Sequence, residues 1–171
     1  MLGRLYKKQN CSAARALEVV GERWSLLILR DALFRGTTRF SDFQRTLGVA
    51  PNVLAKRLEG FIAAGILEAG QSQHSEHREY FLTKKGRDLK TVVIALTAWG
   101  DRWAAPHGPP VVFKHESCGG HVEQQLQCTT CGETPKLTDV VAQATNPCPA
   151  KRESRTLPAT RRREKMEPRS V

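Results

Sequence analysis

The stretch Pro51-Asn52-Val53-Leu54-Ala55-Lys56-Arg57-Leu58-Glu59-Gly60-Phe61-Ile62-Ala63-Ala64-Gly65 decides the fold. Pro51 suits a first helical position, where its missing N–H costs nothing, and Gly65 supplies a left-handed stop. Between them Leu54, Leu58, Phe61 and Ile62 fall at i, i+4, i+7 and i+8 and form one apolar face. Asn52, Ala55, Lys56 and Glu59 lie largely off that face. The spacing predicts a helix over 51–64, greasy on one side and polar on the other.

Working upstream, Ser41 followed three residues later by Gln44 reads as a capping box, opening a short helix through Thr46 that stops at Gly48. Arg23 to Phe34 has apolar residues on nearly every side, from Trp24 to Leu33, and is expected to be the central helix of the core. Ser12 to Val20 is a shorter helix ending at Gly21. Downstream, Ile66 to Ala69 and Arg78 to Leu82 read as two strands of a hairpin with the polar tip Gln71 to His77. Thr83 is expected to cap a long helix running to about Trp103. Its stripe of Leu89, Val92, Val93, Leu96, Trp99, Gly100 and Trp103 exceeds what a small core absorbs, so a second copy of the chain is expected against it.

This order is that of a winged helix-turn-helix: mainly α with a small β-hairpin wing. It occupies residues 1–105. Pro106-His107-Gly108-Pro109-Pro110 breaks the chain. A Cys/His-rich, zinc-ribbon-like segment covers 107–141, and an Arg-rich tail over 142–171, with few large apolar residues, is expected to be disordered. The composition of the 171 residues, 40% hydrophobic and 26% charged, excludes collagen-like and wholly disordered classes. The longest apolar runs, Leu26 to Leu29 and Val92 to Leu96, fall far short of the roughly 20 residues that span a bilayer. Met1 to Asn10 is polar and does not read as a secretory leader. A soluble, cytoplasmic protein without membrane partners is therefore expected. The net charge of +10 divides into +7 over 1–106, −2 over 107–141 and +5 over 142–171. A basic domain with a basic tail attracts polyanions, of which nucleic acid is the commonest in the cytoplasm.

Several motifs occur in order. They are Cys11-x-x-Ala14-Arg15-x-Leu17-x-x-x-Gly21-x-x-Trp24-x-x-Leu27-Ile28-Leu29-Arg30, then Arg39-Phe40-Ser41-Asp42-Phe43, then Arg57-Leu58 with Ala64-Gly65-Ile66-Leu67, then Glu79-Tyr80-x-Leu82-Thr83-x-x-Gly86. Together they resemble the HxlR family of bacterial transcriptional regulators over roughly Cys11 to Trp103. The resemblance implies a homodimer on a pseudo-palindromic double-stranded DNA operator, most simply a repressor, in some members responsive to a small-molecule, electrophile or oxidant effector. It makes the helix at Pro51 the recognition helix, with Asn52, Val53, Lys56 and Arg57 as candidates for contacting DNA, Asn52 and Lys56 at base edges and Arg57 at phosphate or the core rim. Arg39, Ser41 and Arg45 would address phosphates, and the wing residues His74, His77 and Arg78 the flanking backbone or minor groove. Family members often carry Ser where this chain has Ala50, which cannot accept the first-turn N–H groups, a loss of about 1 kcal/mol.

Cys11 stands just ahead of the first helix, near Arg15, Lys7 and Lys8, which would stabilise a thiolate. Similar family members use a cysteine at this position as a sensor. Two further turns share one design: His115-x-x-Cys118-Gly119 and Cys128-x-x-Cys131-Gly132. Three thiolates and an imidazole would close a tetrahedral structural zinc site, with His121, then His107, as alternatives for the fourth ligand. Two other function classes compete with the regulator: an adaptor that has lost DNA binding, and a thiol or zinc enzyme. The chain has neither a glycine-rich phosphate loop nor an HExxH motif.

Overall fold

The computed structural model describes residues 6, 10–72 and 75–143, with backbone alone at 72 and 75–77. Of the sequence expectations, the wing-tip residue His74 and the tail from 144 onward lie outside the described residues. The described residues up to Val140 belong to one compact unit, and a second begins at Val141.

Helix α1 (Ser12–Val20) buries Ala14 and Val20. Helix α2 (Ser25–Arg35) buries Ile28, Leu29 and Ala32, as its near-continuous apolar sequence requires. It begins two residues later than expected, because Trp24 sits outside the helix in the left-handed region at φ 78°. A bulky residue rarely adopts that conformation. The indole is half-buried against the core, and that packing holds it there. Asp31, fully buried within α2, accepts from Arg30 Nε at 2.9 Å and from Thr46 Oγ1 at 2.9 Å, tying α2 to the next helix.

Helix α3 (Phe40–Leu47) ends at Gly48, φ 63°, a stop that a residue with a Cβ would strain. The expected capping box at Ser41 does not form. Arg39 holds the N-cap position, and Ser41 lies inside the first turn with no capping hydrogen bond from any side chain. The helix starts there because Arg39 and Thr38 are drawn into pairing with the hairpin. After the turn at Val49 comes helix α4 (Pro51–Ala63), with Pro51 in the first turn as expected. Leu54, Leu58 and Phe61 of α4 are buried together with Phe43 of α3 and Ile28 and Leu29 of α2.

Strands β1 (Leu67–Ser72) and β2 (Ser75–Leu82) pair antiparallel, from Leu67 opposite Leu82 to Gln71 opposite Arg78, with an irregularity after Gln71. They are longer than their apolar residues suggested, since backbone pairing runs on through the polar stretch. Arg39 adds a bridge to Glu79, and the Tyr80 N–H donates to Thr38 O at 2.9 Å, so the start of α3 forms a rudimentary third strand.

Thr83 caps as expected, its Oγ1 accepting from the Gly86 N–H at 3.1 Å, but the helix it opens is short: α5 (Lys84–Asp88). Gly86 lies so close to the Ile66 carbonyl that a Cβ would come within 2.3 Å of that oxygen. At Leu89 the backbone tightens, its N–H bonding to Gly86 O three residues back, and α6 (Lys90–Trp103) follows. Val93 is the buried residue of α6, whereas Val92, Leu96, Trp99 and Trp103 are exposed. Beyond α6 no described residue is buried. Phe113 returns to stack on Phe34 of α2 with ring centroids 4.8 Å apart, and Lys90 lies over the Phe34 ring at 5.1 Å. Among the described residues no helix is long and apolar enough to cross a membrane.

Candidate nucleic-acid interface

The two faces of α4 are chemically distinct. Leu54 and Leu58 are wholly inaccessible, while Asn52, Lys56 and Glu59 are exposed on the other side. The Ala50 N-cap makes no side-chain bond. The Val53 N–H is instead shared between Ala50 O at 3.0 Å and Asn52 Oδ1 at 2.9 Å, so Asn52 covers part of the capping that alanine cannot.

Two of the four residues assigned to the DNA-facing side of α4 are not free on that side. Val53 is half-buried and packs against the core. Arg57 turns back toward the corner between α1 and α2, where its Nη2 meets Glu22 Oε2 at 3.1 Å; its side chain is 20% exposed and its Nε is buried without a partner. Of the α3 residues, Ser41 is exposed. Arg45 is exposed while holding Asp42 at 2.7 Å. Arg39 pairs with Glu79 at 2.9 Å, and that hydrogen bond, reinforced by the carboxylate charge, holds its guanidinium above the ordinary arginine range. Arg78 of the wing is exposed, its guanidinium 5.6 Å from the Tyr80 ring centroid. His77 is placed by its backbone within β2. Glu22, which positions Arg57, was not singled out by sequence, and Glu79, which positions Arg39, entered only as part of a family motif with no role assigned to its side chain. They lie 35 and 40 residues from their partners, and no local pattern links them.

The helix-turn-helix of α3 and α4 with an adjoining hairpin falls within the region, residues 19–108, that matches the HxlR-like helix-turn-helix family. The chain belongs to the HxlR family. It is 44% identical over 124 residues to the uncharacterised HTH-type transcriptional regulator Rv3095 of Mycobacterium tuberculosis, covering 71% of this chain and 78% of that one. It is 37% identical over 99 residues to the uncharacterised HTH-type transcriptional regulator YtfH of Escherichia coli, covering 57% and 77%. Among solved structures, PA1607, described as a candidate transcription factor, superposes with a TM-score of 0.73 at 36% identity, covering 81% of this chain and 97% of that chain. The Pseudomonas aeruginosa protein PA1374, similarly described, gives 0.56 at 38% identity, covering 81% and 94%. The chain is thus an HxlR-type transcriptional regulator and not an enzyme. The likeness to PA1607 and PA1374 covers more of the chain than the family region alone, and so extends past the winged helix.

Two features of this HxlR-type chain lie away from α3 and α4. Cys11 is exposed at the N-cap of α1, and its carbonyl accepts from the Arg15 N–H at 3.1 Å. The Arg15 guanidinium donates to Asn10 Oδ1 at 3.3 Å, and Lys7 and Lys8 lie outside the described residues. In the Cys/His segment the two turns have the same backbone geometry. The His115 N–H donates to Gly120 O and the Gly119 N–H to His115 O, both at 2.8 Å. The Cys128 N–H donates to Glu133 O at 2.8 Å and the Gly132 N–H to Cys128 O at 2.9 Å. Gly119 and Gly132 have φ of 70° and 76°. His115 Nδ1 and Cys118 Sγ are 3.3 Å apart. Backbone N–H groups of Cys131 and Thr130, then the Cys131 side chain, hold the Cys128 thiol below the usual cysteine range. Among the described residues no three His, Cys, Asp or Glu side chains meet, so the two turns stand as separate pairs. His121 pairs with Lys114 through the backbone.

Proposed function

We propose that this HxlR-type regulator is a homodimeric repressor that reads a pseudo-palindromic duplex operator through the exposed face of α4. The observation that carries the reading is the division of α4: Asn52 and Lys56 stand on the outer side of a helix whose inner side, Leu54, Leu58 and Phe61, is fixed in the core. A helix so supported can enter a major groove about 12 Å wide. Asn52 and Lys56 address base edges, Ser41, Arg45 and Arg78 address phosphates, and Arg39 and Arg57, held by Glu79 and Glu22, fix the elements that carry the contacts.

The exposed stripe Val92, Leu96, Trp99 and Trp103, at i, i+4, i+7 and i+11 on α6, supports dimerisation through that helix. Two recognition helices about 34 Å apart would then meet successive turns of the duplex. The exposed thiol of Cys11 at a helix N-terminus supports a response to electrophiles or oxidants. Selection of bound sequences from random duplex DNA, followed by footprinting, tests the reading. A regulator of this kind yields two inverted half-sites and a protected footprint, whereas an adaptor enriches no sequence and protects nothing.

A further inference from the structure

The winged helix leaves His115, Cys118, Cys128 and Cys131 unused, and they stand in a segment that has no core. From 104 to 143 no residue is buried, and apart from the stacking of Phe113 on Phe34 little apolar contact holds the segment. Yet two turns within it share one backbone pattern: a first-ligand N–H bonded five residues ahead, a glycine N–H bonded four residues back, and a left-handed glycine after the second ligand. Such a turn directs two side chains toward one point. In the first, His115 Nδ1 and Cys118 Sγ are separated by 3.3 Å. Zinc bonds of about 2.1 Å to nitrogen and 2.3 Å to sulfur at a tetrahedral angle give an edge of about 3.6 Å. In the second, the Cys128 N–H bond to Glu133 O and the Gly132 N–H bond to Cys128 O close the chain around Cys128 and Cys131 in the same way.

We propose that the two turns are the halves of one zinc site within the chain, with His115, Cys118, Cys128 and Cys131 as its four ligands. Among the described residues no three of these side chains gather, so closing the site requires the two turns to approach one another. The link 119–127 is nine residues long and exposed throughout; His121 and Val122 are paired back to Lys114 and Phe113, which leaves 123–127 to bring the second turn to the first. Five residues reach up to about 17 Å when extended, and so short a link presents the second pair to the first at about millimolar effective concentration. A second chain at micromolar concentration competes poorly with that, so the site closes within one copy. Binding replaces the three thiol protons with the ion and releases them to solvent. With four protein ligands no open position is left, and the ion is structural.

The test uses the full chain, purified without chelators. Elemental analysis should find one zinc per chain. Replacement by cobalt should give the intense visible bands of a tetrahedral site and the near-ultraviolet charge-transfer absorption of three thiolates. Cys118→Ser, Cys128→Ser and Cys131→Ser should each weaken cobalt binding at least tenfold, with Cys11→Ser unchanged. His115→Cys should keep the metal and raise the charge-transfer intensity by about a third, a gain that a misfolded variant would not produce. Less than about 0.2 zinc per chain, one metal per two chains, or a cobalt spectrum indifferent to His115→Cys would each overturn the proposal. Operator binding measured on the same samples reports separately on the winged helix.

Discussion

Arg39 donates through Nε to Glu79 Oε1 at 2.9 Å, so the residue that opens α3 is bonded to the centre of the second wing strand. Glu79 is nearly inaccessible and also accepts from Thr38 Oγ1 at 3.3 Å. A buried carboxylate that loses its cation is left uncompensated, whereas losing both partners removes the penalty as well as the bond. Arg39→Ala and Glu79→Ala should each lower the melting temperature, and the double variant should lose less than the sum. Strict additivity in a double-mutant cycle by thermal or urea denaturation would mean the pair does not couple the two elements.

The outer face of α4 should be dispensable for folding and needed for recognition. Lys56→Ala should leave stability within about 0.5 kcal/mol and weaken operator binding by about 1–3 kcal/mol, or about 5- to 150-fold. Leu58→Ala on the inner face should lower stability by about 2–5 kcal/mol. Urea melts alongside anisotropy titrations separate the two outcomes, and an unchanged operator affinity in Lys56→Ala would remove that residue from the contact surface.

Arg78 and Arg57 should behave differently although both were read from sequence as DNA contacts. Arg78→Ala should weaken binding to all duplexes alike and reduce the salt slope by about 1. Arg57→Ala, which breaks the link to Glu22, should lower thermal stability and leave the salt slope unchanged. Titrations at several salt concentrations measure both slopes.

The contrast between these arginines marks what the sequence made legible. Pro51, Gly65 and the 3.6-residue spacing between them are local signals, and α4 follows directly from them. Arg57 stood between a phosphate contact and the core rim, and local pattern could not decide because its partner Glu22 sits 35 residues away. The capping box at Ser41 failed for the same reason: a backbone bridge from Arg39 to the wing, invisible in the local pattern, decides where α3 begins. Trp24 escaped because no residue-type signal predicts a tryptophan at φ 78°. The wing strands were cut short because hydropathy alternation marks buried strands, and the outer, polar part of this hairpin is defined by its backbone pairing.

The exposed side of α6 should hold the dimer. Leu96→Glu combined with Trp99→Glu places charge on residues that are 48% and 61% exposed, so the fold should survive. The double variant should sediment as a monomer with unchanged helical circular dichroism. A dimer that persists would place the contact elsewhere.

Cys11, exposed at the N-cap of α1, should react readily with thiol reagents in the folded protein. Mass spectrometry after brief alkylation at neutral pH should find it modified, and the modified protein should bind its operator less tightly than untreated protein. A Cys11 left unmodified in the folded chain would end its candidacy as a sensor.

The tightened backbone at Leu89 gives the molecule a lever. The Thr83 cap and the close approach of Gly86 to Ile66 clamp α5 to the base of the wing, and α6 extends from that clamp for 14 residues, about 21 Å at 1.5 Å per residue. A swing of about 10° at Leu89 would carry Trp103 sideways by about 4 Å, close to the roughly 3.4 Å rise of one base pair implied by the helical repeat. In a dimer joined along α6, that joint, together with the packing of α6 on α2, would set the number of base pairs between half-sites, and operator length could drift among relatives with no change in the residues that read the bases.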